Sequence, residues 1–199
     1  MSVATPYFDQ LFAGNDDPWA FRQRWYERRK RALTLAVLTR PRYASVFEPG
    51  CANGELSAEL AARCDRLLCC DTASAAVALA KTRLLGFPHA HVQQSRLPEQ
   101  WPAGPFDLIV LSELGYYLDV EDLNRLIDQA LASLTDDGQL LACHWRPVIE
   151  GCPQTAEQVH ALLQQRLGMH RVVQHHESDF LLDLWSRDGT SVARHEGLR

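Results

Sequence analysis

Two glycines and two carboxylates mark the stretch of this chain best suited to hold a ligand. Phe47-Glu-Pro-Gly-Cys-Ala-Asn-Gly-Glu55 lies where a short apolar strand hands over to a helix. Gly50 permits a tight turn and close approach of a ligand to the backbone, and Gly54 lets the helix start near the sheet. Asp71 ends the next strand, roughly 20 residues further on, where a carboxylate can accept hydrogen bonds from both ribose hydroxyls of an adenosine. A glycine turn with a distal acid serves dinucleotides and S-adenosylmethionine (SAM) alike. Two details favour SAM. Glu48 heads the turn, where it would repel a pyrophosphate but attract a sulfonium and an ammonium. The spacing is Gly50-x-x-x-Gly54, with Ala52 and Asn53 where the dinucleotide fingerprint would differ. Cys51, Asn53 and Thr72 complete this expected pocket with Glu48, Gly50, Gly54 and Asp71. Read singly, the glycines are a strand–helix turn and Asp71 is a cap for the helix from Ala73.

A second group of residues follows a later strand. Phe106 to Leu111 is strongly apolar and ends at Ser112-Glu113-Leu114, followed by Gly115, Tyr116 and Tyr117. In a doubly wound sheet this strand ends beside the ligand crevice, which puts these residues near a reacting group. One tyrosine is expected in the core and one, Tyr117, in the site. Cys143-His-Trp-Arg146 closes the next strand at the same edge. His144 there would act as a base or orient an acceptor, or would be a core histidine bonded to a backbone carbonyl. Trp145 would stack on a ring, Arg146 would bind an anionic group, and the loop from Pro147 to Pro153 would cover the site. His175-His176-Glu177 reads as a hairpin turn, because adjacent strand residues point apart, and no metal is expected.

The elements that must position these residues alternate. Strands are expected at Ser45–Glu48, Leu67–Cys70, His91–Gln93, Phe106–Leu111 and Gln139–Trp145. Helices fall between them, including one from Val120 capped by Asp119 and one opened by the capping box Thr155-Ala-Glu-Gln158. Such alternation predicts an α/β, Rossmann-like, mostly parallel sheet with helices on both faces. Arg171–Gln174 and Phe180–Trp185 are too close in sequence for a helical crossover, so one of them runs antiparallel. The first 16 residues are expected to be irregular. A helix capped by Asp17, with Pro18 at its first position, is expected to reach about Leu38. With 199 residues, 46% of them hydrophobic, one domain over 1–199 is expected, residues 1–40 forming its N-terminal cap or lid.

A net charge of −5 disfavours nucleic acid as a partner. No apolar run is long enough for a bilayer, and the first residues lack a signal-peptide pattern. Six cysteines without paired metal-site spacing read as reduced thiols of a cytoplasmic protein.

Asp17-Pro18-Trp19, Trp25-Tyr-Glu-Arg-Arg-Lys30, the turn from Glu48 to Gly54, Phe106-Asp-Leu-Ile-Val110 and Glu113-x-x-Tyr-Tyr-Leu118 resemble the NodS-like class I methyltransferases. These are similar to the enzyme that N-methylates the deacetylated sugar end of rhizobial lipo-chitooligosaccharides. The resemblance spans roughly residues 17 to 140. It implies a seven-stranded sheet with an antiparallel strand near the C-terminus, SAM as methyl donor and S-adenosylhomocysteine (SAH) as product. It also implies a first helix folded over the donor, with Trp19 as a lid residue and Arg29 paired to the methionine carboxylate. The Arg28–Arg31 run otherwise reads as a solvated helix face. Ser95 stands where many relatives carry an acid, so Ser95, the Arg96 amide and Leu97 would contact adenine. Methyl transfer to a small-molecule amine, an amino sugar or similar, is the implied reaction. An O-methyltransferase, an NAD-dependent reductase and a non-catalytic SAM-binding module are the alternatives, and the oligomeric state is open.

Overall fold

The computed structural model describes residues 1–199. Seven strands form one sheet: β1 (Val46–Pro49), β2 (Leu67–Asp71), β3 (Ala90–Gln94), β4 (Phe106–Ser112), β5 (Leu134–Trp145), β6 (His170–His176) and β7 (Phe180–Ser186). Their order is β3-β2-β1-β4-β5-β7-β6. β1 to β5 run parallel, and β7 inserts antiparallel between β5 and β6. The closing hairpin therefore resolves as expected, with β7 as the reversed strand. The order reverses at β1, which opens a crevice beyond the carboxyl ends of β1 and β4.

Both faces of the central strands are buried. In β4, Leu108 and Val110 join one core, while Ile109 and Leu111 join the other. The first core packs under α3 (Glu55–Ala61) and α4 (Ser74–Arg83), the second under α5 (Val120–Ser133) and α6 (Ala156–Arg166). This two-sided burial is why these strands read as continuous apolar runs. Side-chain caps set two helix starts: Asp119 accepts from the Asp122 amide, and Thr155 with Gln158 forms the complete capping box.

The N-terminal region departs from expectation. Residues 5–12 are helical, forming α1 (Thr5–Phe12). No side chain caps α1; tertiary contacts hold it, with Phe12 buried and Phe8 set edge-on to Tyr117. The next helix, α2 (Trp25–Ala36), starts well after Asp17. Asp17 does accept from the Phe21 and Arg22 amides, but Ala20 adopts φ 57 and Arg24 is extended, so the chain turns before it can propagate a helix. The buried stripe of α2 is polar and charged. Trp25 is exposed, and Glu27, Lys30, Arg31 and Thr34 point inward.

Candidate functional site

A cavity of about 360 Å³ opens at the crevice beyond β1 and β4. The β1–α3 turn forms its floor. Gly50 at φ +72 and Ala52 at φ 48 bend the chain away from the sheet, and Leu114 packs where a Gly50 side chain would begin. Gly54, at φ +81, lies behind the turn and does not line the cavity. A Cβ there would meet the Ala80 backbone at 3.0 Å, so Gly54 sets the close packing of α3 on α4.

Two carboxylates face this floor. Asp71 accepts from the Ala52 amide through Oδ2 and from the Ala73 amide through Oδ1, each at 2.9 Å. It is thus a cap and a cavity residue at once, and each oxygen keeps a lone pair for a ligand hydroxyl. Burial raises its pKa against the opposing pull of those amides. Glu48 is 2% exposed, and the Cys69 thiol donates to it at 3.5 Å. Burial pushes the Glu48 carboxyl up to about 7.

Asn53 ties the turn to the N-terminal strap. Its amide nitrogen donates to Asp17 Oδ1 at 3.0 Å, and its buried Oδ1 has no partner. The strap crosses the cavity mouth: the Val3 amide bonds the Tyr117 carbonyl, and the Thr5 and Thr72 hydroxyls meet at 2.7 Å. Trp19 lines the cavity, stacked on Phe21 and edge-on to Phe12.

Cys51, Thr72, Ser95, Arg96, Leu97, Ser112, Glu113, Leu114, Tyr116, Tyr117 and Trp145 also line the cavity. The Arg96 amide is already bonded to Gln100 Oε1 at 2.7 Å, which leaves the Ser95 hydroxyl as the freer donor. Both tyrosines are buried and both reach the cavity, so they do not divide into core and site. Glu113, at φ 54, is the hub of the far wall. Its carboxylate receives Lys30 Nζ at 2.7 Å, the Tyr116 hydroxyl at 2.5 Å and the Trp145 amide at 2.9 Å.

Four expectations are corrected here. His144 is fully buried and does not line the cavity. Its Nε2 accepts from the Gly115 amide at 2.9 Å, its Nδ1 meets His160 Nε2 at 3.0 Å, and His160 Nδ1 meets Asp183 at 2.7 Å. With both ring nitrogens engaged and its pKa lowered by burial and by His160, His144 anchors the turn at Gly115–Tyr117 and has no site for a substrate proton. Arg29 lies outside the cavity in a two-pronged ion pair with Glu177, at 2.6 and 2.8 Å, which lowers the Glu177 carboxyl to about 2. Arg146 is likewise engaged outside, with Glu157 and the Glu177 carbonyl. Finally, the basic run of α2 is not a wholly solvated face. Glu27, Lys30, Arg31 and Thr34 line the cavity and are the α2 residues missed from sequence. Their spacing, i, i+3, i+4 and i+7, was the available signal: a helical stripe written in charged residues.

Comparison with known proteins places this geometry among relatives. The model of the family Nodulation protein S (NodS) matches residues 10–178. Nodulation protein S of Rhizobium tropici is 30% identical over 128 residues, covering 63% of this chain and 54% of the relative. Against that sequence and those from Bradyrhizobium diazoefficiens and Sinorhizobium fredii, the chain spans 54%, 61% and 59% of the relatives' length. The crystal structure of N-methyltransferase NodS from Bradyrhizobium japonicum WM9 in complex with SAH is 27% identical, with a TM-score of 0.82 over 92% of this chain and 97% of that one. A candidate methyltransferase from Pseudomonas syringae is 68% identical, with a TM-score of 0.75 over 82% of this chain and 99% of that one.

Proposed function

The chain belongs to the Nodulation protein S (NodS) family, and from that premise we propose that it transfers a methyl group from SAM to a small-molecule amine, an amino sugar or similar. The observation that carries this reading is the pairing of Glu48 and Asp71 on one cavity floor beside the Gly50 turn. SAM supplies an activated methyl on a cationic sulfur. The residues present fit it. Asp71 keeps free lone pairs for ribose hydroxyls, and the orphaned Asn53 Oδ1 offers a buried acceptor. Glu48 offers a buried carboxylate suited to a cation.

Ser95 and Leu97 wall the adenine end. Arg31 takes the carboxylate-binding role that resemblance suggested for Arg29, because it lines the cavity and its Nη2 makes no hydrogen bond. The strap from Val3 to Phe21 excludes water, which in-line displacement requires. Tyr116, Tyr117 and Trp145 form the wall on which an acceptor ring rests.

Calorimetric titration with SAM, SAH and NAD tests the class: SAM and SAH should bind and NAD should not. A screen of amine against hydroxyl acceptors, followed by SAH release, tests the acceptor. Turnover of hydroxyls alone would replace this reading with O-methylation.

A further inference from the structure

Helix α2 turns a charged stripe into the cavity. Glu27, Lys30 and Arg31 are 7%, 6% and 9% exposed, and burying ions costs several kcal/mol each unless partners compensate. Arg31 is compensated by Glu59 at 3.1 Å and the Phe21 carbonyl at 2.9 Å. Lys30 Nζ meets Glu113 at 2.7 Å and Glu27 at 3.1 Å, and sits 5.0 Å from the centre of the Tyr26 ring.

The two carboxylates are not served equally. Glu113 receives three donors: Lys30, the Tyr116 hydroxyl and the Trp145 amide. Glu27 receives Lys30 alone. One ammonium therefore balances two carboxylates. The unmet negative charge belongs to Glu27, at the cavity wall that also presents Trp145 and Tyr116.

We propose that Glu27 is the subsite for the acceptor's ammonium group, with the Lys30–Glu113 pair fixing it in place. A protonated amine makes the charges two against two. Its proton passes from nitrogen to a Glu27 oxygen, and the nitrogen keeps the lone pair that makes it a nucleophile. Three observations favour Glu27 over its neighbours. It holds Lys30 as its single donor, whereas Glu113 holds three donors across its two oxygens. Burial raises the Glu27 pKa, so taking up a proton relieves the cost of its charge. The two carboxylates hold Lys30 in its charged form, which leaves it no lone pair to accept a proton. This inference rests on the amine reading above and names the residue that would enforce it.

The test uses the full chain and two probes, a glucosamine tetramer and its fully N-acetylated counterpart, titrated in the presence of saturating SAH. SAH affinity is measured separately. The wild type should prefer the amine probe. Glu27→Gln, close to isosteric, should keep SAH affinity within about twofold and lose roughly tenfold or more of the preference. Glu27→Asp, which restores the charge, should recover part of it. A Glu27→Gln chain that still prefers the amine overturns the assignment. So does one that loses SAH affinity in parallel, which would give Glu27 to the donor. A wild type that binds SAH but does not distinguish the probes refutes the amine reading itself, and the subsite with it.

Discussion

The two ends of the cavity are built by different means. The proposed donor end is set by local backbone: a glycine turn, two strand ends that carry Glu48 and Asp71, and amides that orient Asp71, with Arg31 the one long-range side chain added to it. The acceptor end is made of side chains reaching across the fold, Lys30 of α2 to Glu113 after β4, and Glu113 to Tyr116 and to the Trp145 amide on β5. A backbone-built site tolerates little change in its frame, whereas a side-chain network is specific to one chemistry and easily rewritten. On the proposed reading, that contrast would let one fold keep its donor site while its acceptor site changes.

The sharpest way to break the comparison is at the frame. Gly54→Val puts a branched side chain at φ +81 with its Cβ 3.0 Å from the Ala80 backbone. Left-handed strain and overpacking together should remove roughly 3 kcal/mol of stability in urea unfolding. A loss no larger than that of a surface substitution would show that α3 and α4 can separate freely. The next effect lies behind the acceptor end. Asp183→Ala leaves the His160 Nδ1–H buried without its acceptor, and about 2 kcal/mol should be lost. SAH affinity should change far less than stability, because the relay ends at the Gly115 amide and not in the cavity.

Legibility in the sequence followed the same division. The sheet, its reversed strand and the helix caps were readable because each depends on local signals: apolar runs, Asp119, and Thr155 with Gln158. That Glu48, Gly50 and Asp71 meet at one cavity was readable for the same reason. The start of α2 was not, because Asp17 does cap a turn there and only the left-handed Ala20 shows that the turn ends. The inward stripe of α2 was hidden because its partners, Glu59 and Glu113, lie far along the chain. His144 looked like a base because its position at the end of β5 was legible, whereas His160 and Asp183, which occupy it, were not.

Two smaller effects sharpen the donor side. Asp71→Ala should weaken SAH binding by about 1–3 kcal/mol in calorimetry, through lost ribose hydrogen bonds. Unchanged affinity would displace the ribose from the end of β2. Glu48 adds a pH signature. Its folded pKa, about 7, lies above the ordinary 4.5, so its favourable contribution to folding is complete below 4.5 and is lost as pH rises through 7. A bound sulfonium favours the ionised form, so SAM should bind more tightly as pH rises through that range, by at most about tenfold per pH unit. SAH, whose sulfur is neutral, should respond less, and Glu48→Gln should flatten the profile for SAM. Equal profiles for SAM and SAH would place the sulfur away from Glu48.

The smallest effect separates two neighbours in one basic run. Arg29 and Arg31 are alike in type and two positions apart, yet Arg29 meets Glu177 outside the cavity while Arg31 lines it. Arg29→Ala should leave SAH affinity unchanged, since its half-buried ion pair lies outside the cavity and its partner is no part of the donor floor. Arg31→Ala should weaken SAH binding several-fold through loss of a partner for the homocysteine carboxylate. The reverse ordering would mean that α2 rotates when the donor binds, and that Glu177 holds Arg29 in reserve for that carboxylate.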